Sequence, residues 1–226
     1  VKQPPAFARF SPEQLAVLRR LASPRKVQDF LDYSLAYNDD KPDTCLSPLE
    51  VLKQRKAHCI EGAMLAAAAF LLHGRRPLLL DLRANPRDDD HVIAPFVENG
   101  RWGAVGQSHF RGLRFREPVF KTFGELARSY FEFYYNARGE KTLREYSEPL
   151  DAARLKPEWL WSGKNVFFVS RRLDEQKHYR IIGHAREKDL RKADSLLLEG
   201  ELLGGSTAPL ARRRARPYAR LRLPRL

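Results

Sequence analysis

A chain of 226 residues that is 43% apolar can bury a substantial core, so one compact domain with short extensions is expected. No run reaches the ~18 uninterrupted apolar residues of a membrane span. The opening VKQPPAFARF also lacks the charged-then-apolar order of a secretory signal, so a soluble, cytoplasmic protein is expected. The formal charge of +13 is unevenly spread: no acidic residue follows Glu201, and taking away the seven arginines beyond Ser206 leaves +6 for the rest.

Three helix starts in the first fifty residues share a serine followed by a proline: SPEQLAVLRRLA, SPRKVQDFLDYSLAY and SPLEVLKQRKA. Serine caps the first turn, and proline fits the first helical position, where its missing N–H costs nothing. Leu15, Leu18 and Leu21 fall on one face of the first helix, and Val27, Phe30, Leu31 and Leu35 on one face of the second. Residues 1–46 therefore read as a helical entry layer ahead of a core spanning 47–200, and 201–226 as a basic tail expected to be disordered. The loop NDDKPDTC separates the second helix from the third.

The segment KAHCIEGAMLAAAAFLL is apolar nearly all round, which predicts a buried helix ending near His73 and Gly74. Three strand-length runs follow, PLLLDL (77–82), HVIAPFV (91–97) and RWGAVGQ (101–107), the last two joined by the turn Glu98-Asn99-Gly100. An antiparallel sheet backing the central helix is expected. Further on, KTFGELARSYFEFYYNARG carries aromatic residues at helical spacing and reads as core, TLREYS is less clearly patterned, and NVFFVS is a last candidate strand.

The chemistry concentrates on Cys59 and His91. A thiol attacks as the thiolate, and a helix N-terminus plus an imidazole partner both lower its pKa. Cys59 leads the apolar helix, and His91 opens the second strand-like run. The other cysteine, Cys45, lies too far from Cys59 for a paired zinc motif, and two free thiols are expected rather than one bridge. No metal or cofactor is expected. His58 flanks the thiol, but neighbours on a helix diverge, so it reads as a rim residue. Glu61 reads as a residue that satisfies the helix dipole.

The stretch SPLEVLKQRKAHCIEGAMLAAAAFLLHGRRPLLLDL, followed by DDHVIAPFVENGRWGAV, resembles the transglutaminase-like branch of the papain-like cysteine enzymes, and in particular its bacterial members. The likeness covers roughly residues 47–107. It implies an α+β fold in which a Cys-bearing helix packs on an antiparallel sheet, with additional C-terminal helices here. It also implies Cys59 as nucleophile and His91 as general base. The family's third residue, an Asp four positions beyond the tryptophan, corresponds here to Gly106. Gln107 is therefore the expected orienting group, with Asp90 and Ser108 as further neighbours. Gln54 reads equally as an oxyanion-pocket donor and as a solvent-facing helical glutamine, and Trp102 reads first as core packing and second as a lining residue of the substrate channel.

The resemblance implies acyl transfer from a peptide or protein substrate through a thioester, most simply to water. Gly106 motivates an alternative, a catalytically degenerate domain that binds a peptide or partner protein. The arginine-rich tail motivates a third expectation, weak nonspecific contact with nucleic acid.

Overall fold

The structure, a computed structural model, describes residues 5–204. The disorder and the nucleic-acid contact expected of the basic tail concern residues that lie largely outside that range. Residues 201–204, expected to belong to the tail, instead complete the last helix.

Helices α1 (Pro12–Arg20), α2 (Pro24–Ser34) and α3 (Pro48–Gln54) start as the serine–proline pairs predict. Ser11, Ser23 and Ser47 each accept the backbone N–H three residues on. Two short strands, β1 (Ala36–Tyr37) and β2 (Lys56–Ala57), pair in parallel and deliver the chain to the head of α4 (Cys59–Leu72). Every residue of α4 from Ile60 to Phe70 is buried. Full burial of side chains such as Met64, Leu65 and Phe70 stabilises the fold by roughly 1.5–3 kcal/mol each. Alanine along the rest of the helix lets the sheet and neighbouring helices approach closely.

The sheet is antiparallel. Strands β3 (Leu78–Ala84), β4 (His91–Glu98) and β5 (Arg101–Gly106) form its centre, and the turn between β4 and β5 has Asn99 and Gly100 at positive φ. Strand β6 (Arg116–Phe120) adds beside β5, and β7 (Leu143–Ser147) beside β3. Strand β8 (Leu150–Asp151) also pairs with β3, and β9 (His178–Arg180) closes the far edge. Side-chain alternation divides two cores. Leu79, Val92, Ala94 and Phe96 face the cluster around α4, whereas Leu80, Leu82, Ile93 and Ala104 face a second cluster with Leu126, Tyr130 and Tyr134.

The aromatic run is not one helix: α5 covers only Phe123–Arg128, and a single tight turn at Phe131–Phe133 follows. The Tyr134 hydroxyl donates to the Asp89 carbonyl at 2.7 Å and lies 3.2 Å from that of Leu82, an arrangement that holds the chain off the helical path. NVFFVS is not a strand. Asn165 accepts from the Cys45 N–H and Val166 donates to the Cys45 carbonyl, after which the chain enters a helix that buries Val169 and Leu173 four residues apart. The C-terminal helices are α6 (Glu158–Trp161), α7 (Phe168–Asp174) and α8 (Ser195–Gly204). Among the described residues, no helix is long and apolar enough to cross a membrane.

Candidate active site

Cys59 and His91 meet in one cleft of about 520 Å³. The cleft lies between the loop of residues 38–44, the loop of residues 85–90 and the turn after β5. Cys59 is partly exposed, whereas Cys45 in the same wall is 1% exposed, and both thiols are free. Burial pushes the Cys45 thiol up to about 12. The same effect acts on Cys59, but His58 and then His91 outweigh it and bring that thiol down to about 6.

His58 is the residue that sequence reasoning undervalued. It is the N-cap of α4 with extended backbone (φ −96°, ψ −169°), so the divergence of adjacent helical side chains does not apply to it. Its Nδ1 lies 3.9 Å from the Cys59 sulfur, and its Nε2 is 2.8 Å from the Thr44 carbonyl and 3.3 Å from Glu61 Oε1. A carbonyl only accepts, so Nε2 carries the proton there. Burial opposes charge on this ring. The thiolate and the Glu61 carboxylate prevail, and the imidazolium is favoured far above its usual range.

Glu61 is completely buried, yet burial does not make it neutral, because His58, Asn38 and Thr44 hold its carboxyl at about 2. Its two oxygens accept from Asn38 Nδ2 (2.9 Å), Thr44 Oγ1 (2.6 Å), the Leu46 N–H (2.8 Å) and the His58 N–H (2.9 Å). This one carboxylate thus ties the 38–46 segment to the first turn of α4.

On the other side of the sulfur, His91 Nε2 is 2.9 Å from the main-chain oxygen of Leu113. That bond fixes the proton on Nε2 and leaves Nδ1 as the lone-pair nitrogen. Tyr130 and Tyr134 flank the ring, each with its centroid 6.4 Å away. Gly106 explains why a carbonyl occupies the orienting position. A Cβ at Gly106 would lie 3.1 Å from the Leu113 oxygen, 3.3 Å from Ile93 and 3.4 Å from the Arg114 oxygen, so the absence of a side chain lets this turn close against β5. Gln28 spans the same backbone unit, accepting from the Gly106 N–H (3.1 Å) and donating to its carbonyl (3.0 Å). Glu201 of α8 accepts the Arg111 and Gly112 N–H groups and braces the turn from outside.

The remaining expectations divide. Gln107 does not orient His91: its Nε2 donates to the Leu31 carbonyl at 3.2 Å, and its buried Oε1 has no hydrogen-bond partner among the described residues. It sits against Gly62, where a Cβ would come within 2.6 Å of its own, so small size at Gly62 sets how closely α4 meets the end of β5. Gln54 does not reach the thiol. It is exposed at the end of α3 and donates to Glu50 at 2.9 Å. Trp102 does not line the cleft but packs on Phe123, with centroids 4.2 Å apart, in the second core. Ser108 lines the cleft and caps Phe110 N–H at 3.1 Å. The Asp90 side chain accepts from the Ala84 N–H, while its carbonyl lies 3.9 Å from the Cys59 sulfur. His109 also lines the cleft, where it packs on Tyr37 with the rings tilted by 37° and bonds Asp39 at 2.8 Å.

Among the described residues, one group offers carboxylates close enough for a shared cation: Asp81, Asp90 and Asp174, with ligand atoms within 4.8 Å of one another. It includes neither Cys59 nor His91. Compared with known proteins, the chain matches no family model and no curated protein.

Proposed function

We propose that the protein is a cysteine acyl-transfer enzyme with a transglutaminase-like core, cleaving an amide or peptide bond through a thioester. The observation that carries this reading is the placement of one partly exposed, acidified thiol between two imidazoles with different partners, a carboxylate for His58 and a main-chain carbonyl for His91. His58, backed by Glu61, supplies standing positive charge that favours the thiolate. His91, whose partner is a neutral carbonyl, is the ring free to carry a proton.

In the first step the Cys59 sulfur attacks the carbonyl carbon and the carbon–nitrogen bond breaks. The proton taken up by His91 Nδ1 from the thiol goes to the departing amine. In the second step His91 removes a proton from water, the hydroxide adds to the thioester carbon, and the carbon–sulfur bond breaks to release the acid and restore the thiolate. The Cys59 N–H, in the first turn of α4 where no intrahelical acceptor exists, suits the oxyanion. Gln54 and Gln107 are committed elsewhere and take no part.

An activated ester such as 4-nitrophenyl acetate tests the reading. The expected result is a burst of nitrophenol with an acetyl adduct on Cys59, absent in Cys59→Ala and long-lived in His91→Ala. No adduct on Cys59, together with a peptide-binding activity that survives Cys59→Ala, would instead support the binding-module alternative.

A further inference from the structure

The carbonyl that orients His91 is itself held by a helix of the N-terminal layer. Gln28 and Asp32 lie one turn apart on α2 and share a face. Gln28 bonds both polar groups of Gly106 at the end of β5 and also donates to Asp32 at 3.0 Å. Asp32 in turn accepts from Arg114 Nη1, and Arg114 Nε donates to the Ser108 carbonyl at 2.8 Å. Arg114 directly follows Leu113, so its side chain ties the start and the end of the turn after β5 to α2.

The Arg114 and Asp32 side chains are only 12% and 16% exposed, so water competes little for the pair. A guanidinium is a planar fork, and two acceptors in different directions fix both its position and its tilt. A lysine ammonium replaces one of those bonds but not the geometry. The carbonyls on either side of Leu113 are engaged elsewhere: that of Gly112 accepts from Arg116 Nη2 at 2.6 Å, and that of Arg114 accepts from the Tyr130 hydroxyl at 3.0 Å. Between them, the Leu113 oxygen is left to His91 Nε2.

Resting on the Cys59 and His91 reading, we propose that Asp32 and Arg114 are positioning residues for the general base, fixing the Leu113 carbonyl so that His91 keeps its proton on Nε2 and leaves Nδ1 free for proton transfer. Neither residue is among those that line the cleft, so both act through the ring rather than on the substrate. The pair carries no net charge, so it sets the ring's tautomer and aim rather than its acidity. Misplacing a proton-transfer group by about 1 Å costs roughly 10²-fold in rate.

Arg114→Lys and Asp32→Asn test this through 4-nitrophenyl acetate turnover, Cys59 alkylation by iodoacetamide, and the imidazole nitrogen resonances of His91, assigned by their loss in His91→Ala. For Arg114→Lys the expected result is turnover lower by roughly 10²-fold, alkylation little changed, and a His91 tautomer shifted from Nε2–H toward a mixture. Asp32→Asn should show the same pattern more weakly. Added to His91→Ala, either substitution should change turnover by less than about twofold, since a residue that acts through His91 then has nothing to position. Equal losses with and without His91 would overturn the proposal, as would an unchanged tautomer in both variants. Should Arg114→Lys lose its cooperative urea transition, Asp32→Asn, which preserves size, decides by the same criteria. Absence of an acetyl adduct on Cys59 in the unsubstituted protein would remove the acyl-transfer reading and this inference together, whereas a normal adduct with an unresponsive His91 overturns the pair alone.

Discussion

The main-chain oxygen of Leu113 holds the His91 ring at 2.9 Å, at a point where a Cβ on Gly106 would come within 3.1 Å of that oxygen. A carbonyl orients an imidazole but adds no negative charge to stabilise its protonated form. The electrostatic work falls to the other side of the sulfur, where a half-buried His58 pairs with the buried and hydrogen-bonded Glu61 carboxylate. Charge and proton transfer are thereby divided between two rings.

Thiol acidity should follow from this division. Cys59 is held at about 6 against an ordinary 9.0, and Cys45 is raised to about 12. Iodoacetamide labelling of Cys59 is expected to rise through a midpoint near pH 6, while Cys45 stays unlabelled up to pH 9. Peptide mapping of the alkylated protein across pH checks both. The midpoint belongs to the coupled thiol and imidazole rather than to sulfur alone.

The two imidazoles should separate by mutation. His58→Ala is expected to move the labelling midpoint of Cys59 upward, because it removes the standing cation. His91→Ala should leave a larger part of the lowered midpoint intact while slowing acyl transfer by roughly 10²–10⁴. Ester-hydrolysis rates measured beside labelling profiles distinguish the two losses.

Glu61→Gln is expected to destabilise the fold by about 3 kcal/mol, since it removes the buried partner of a half-buried His58 and leaves that ring without its counter-charge. The sign with pH follows from the depressed carboxyl. A group held at about 2 against an ordinary 4.5 contributes stability that is complete above 4.5 and disappears as pH falls through 2. Urea midpoints of wild type and variant should therefore lie far apart at neutral pH and converge toward about pH 2.

At Gly106, alanine places a methyl 3.1 Å from the Leu113 oxygen and 3.3 Å from Ile93. Gly106→Ala is expected to cost about 1–3 kcal/mol by overpacking. It should also slow ester turnover more than it slows Cys59 alkylation, because it displaces the carbonyl that positions His91. Denaturation curves and the ratio of the two rates test this.

Local pattern made Cys59 and His91 legible: one precedes an unbroken apolar helix, the other opens a strand run, and both features lie within a few residues. Leu113 was not legible, because a main-chain acceptor leaves no trace in side-chain identity. His58 was misjudged by applying helix geometry to an N-cap with extended backbone. Glu61 carried the right position, near the start of α4, but its partners Asn38, Thr44 and Leu46 come from a loop whose path no periodicity encodes. The serine–proline helix starts held because capping is a local effect. The aromatic run and NVFFVS failed where tertiary bonds from Tyr134 and Asn165 overrode short-range preference.

Because Asn38, Thr44 and Leu46 all hold the carboxylate that charges His58, the mouth of the cleft and the acidity of its sulfur share one anchor. A ligand that shifts this loop also perturbs the nucleophile's ionisation. Displacement of this loop is therefore expected to change the ultraviolet absorbance of the thiolate, without any added label.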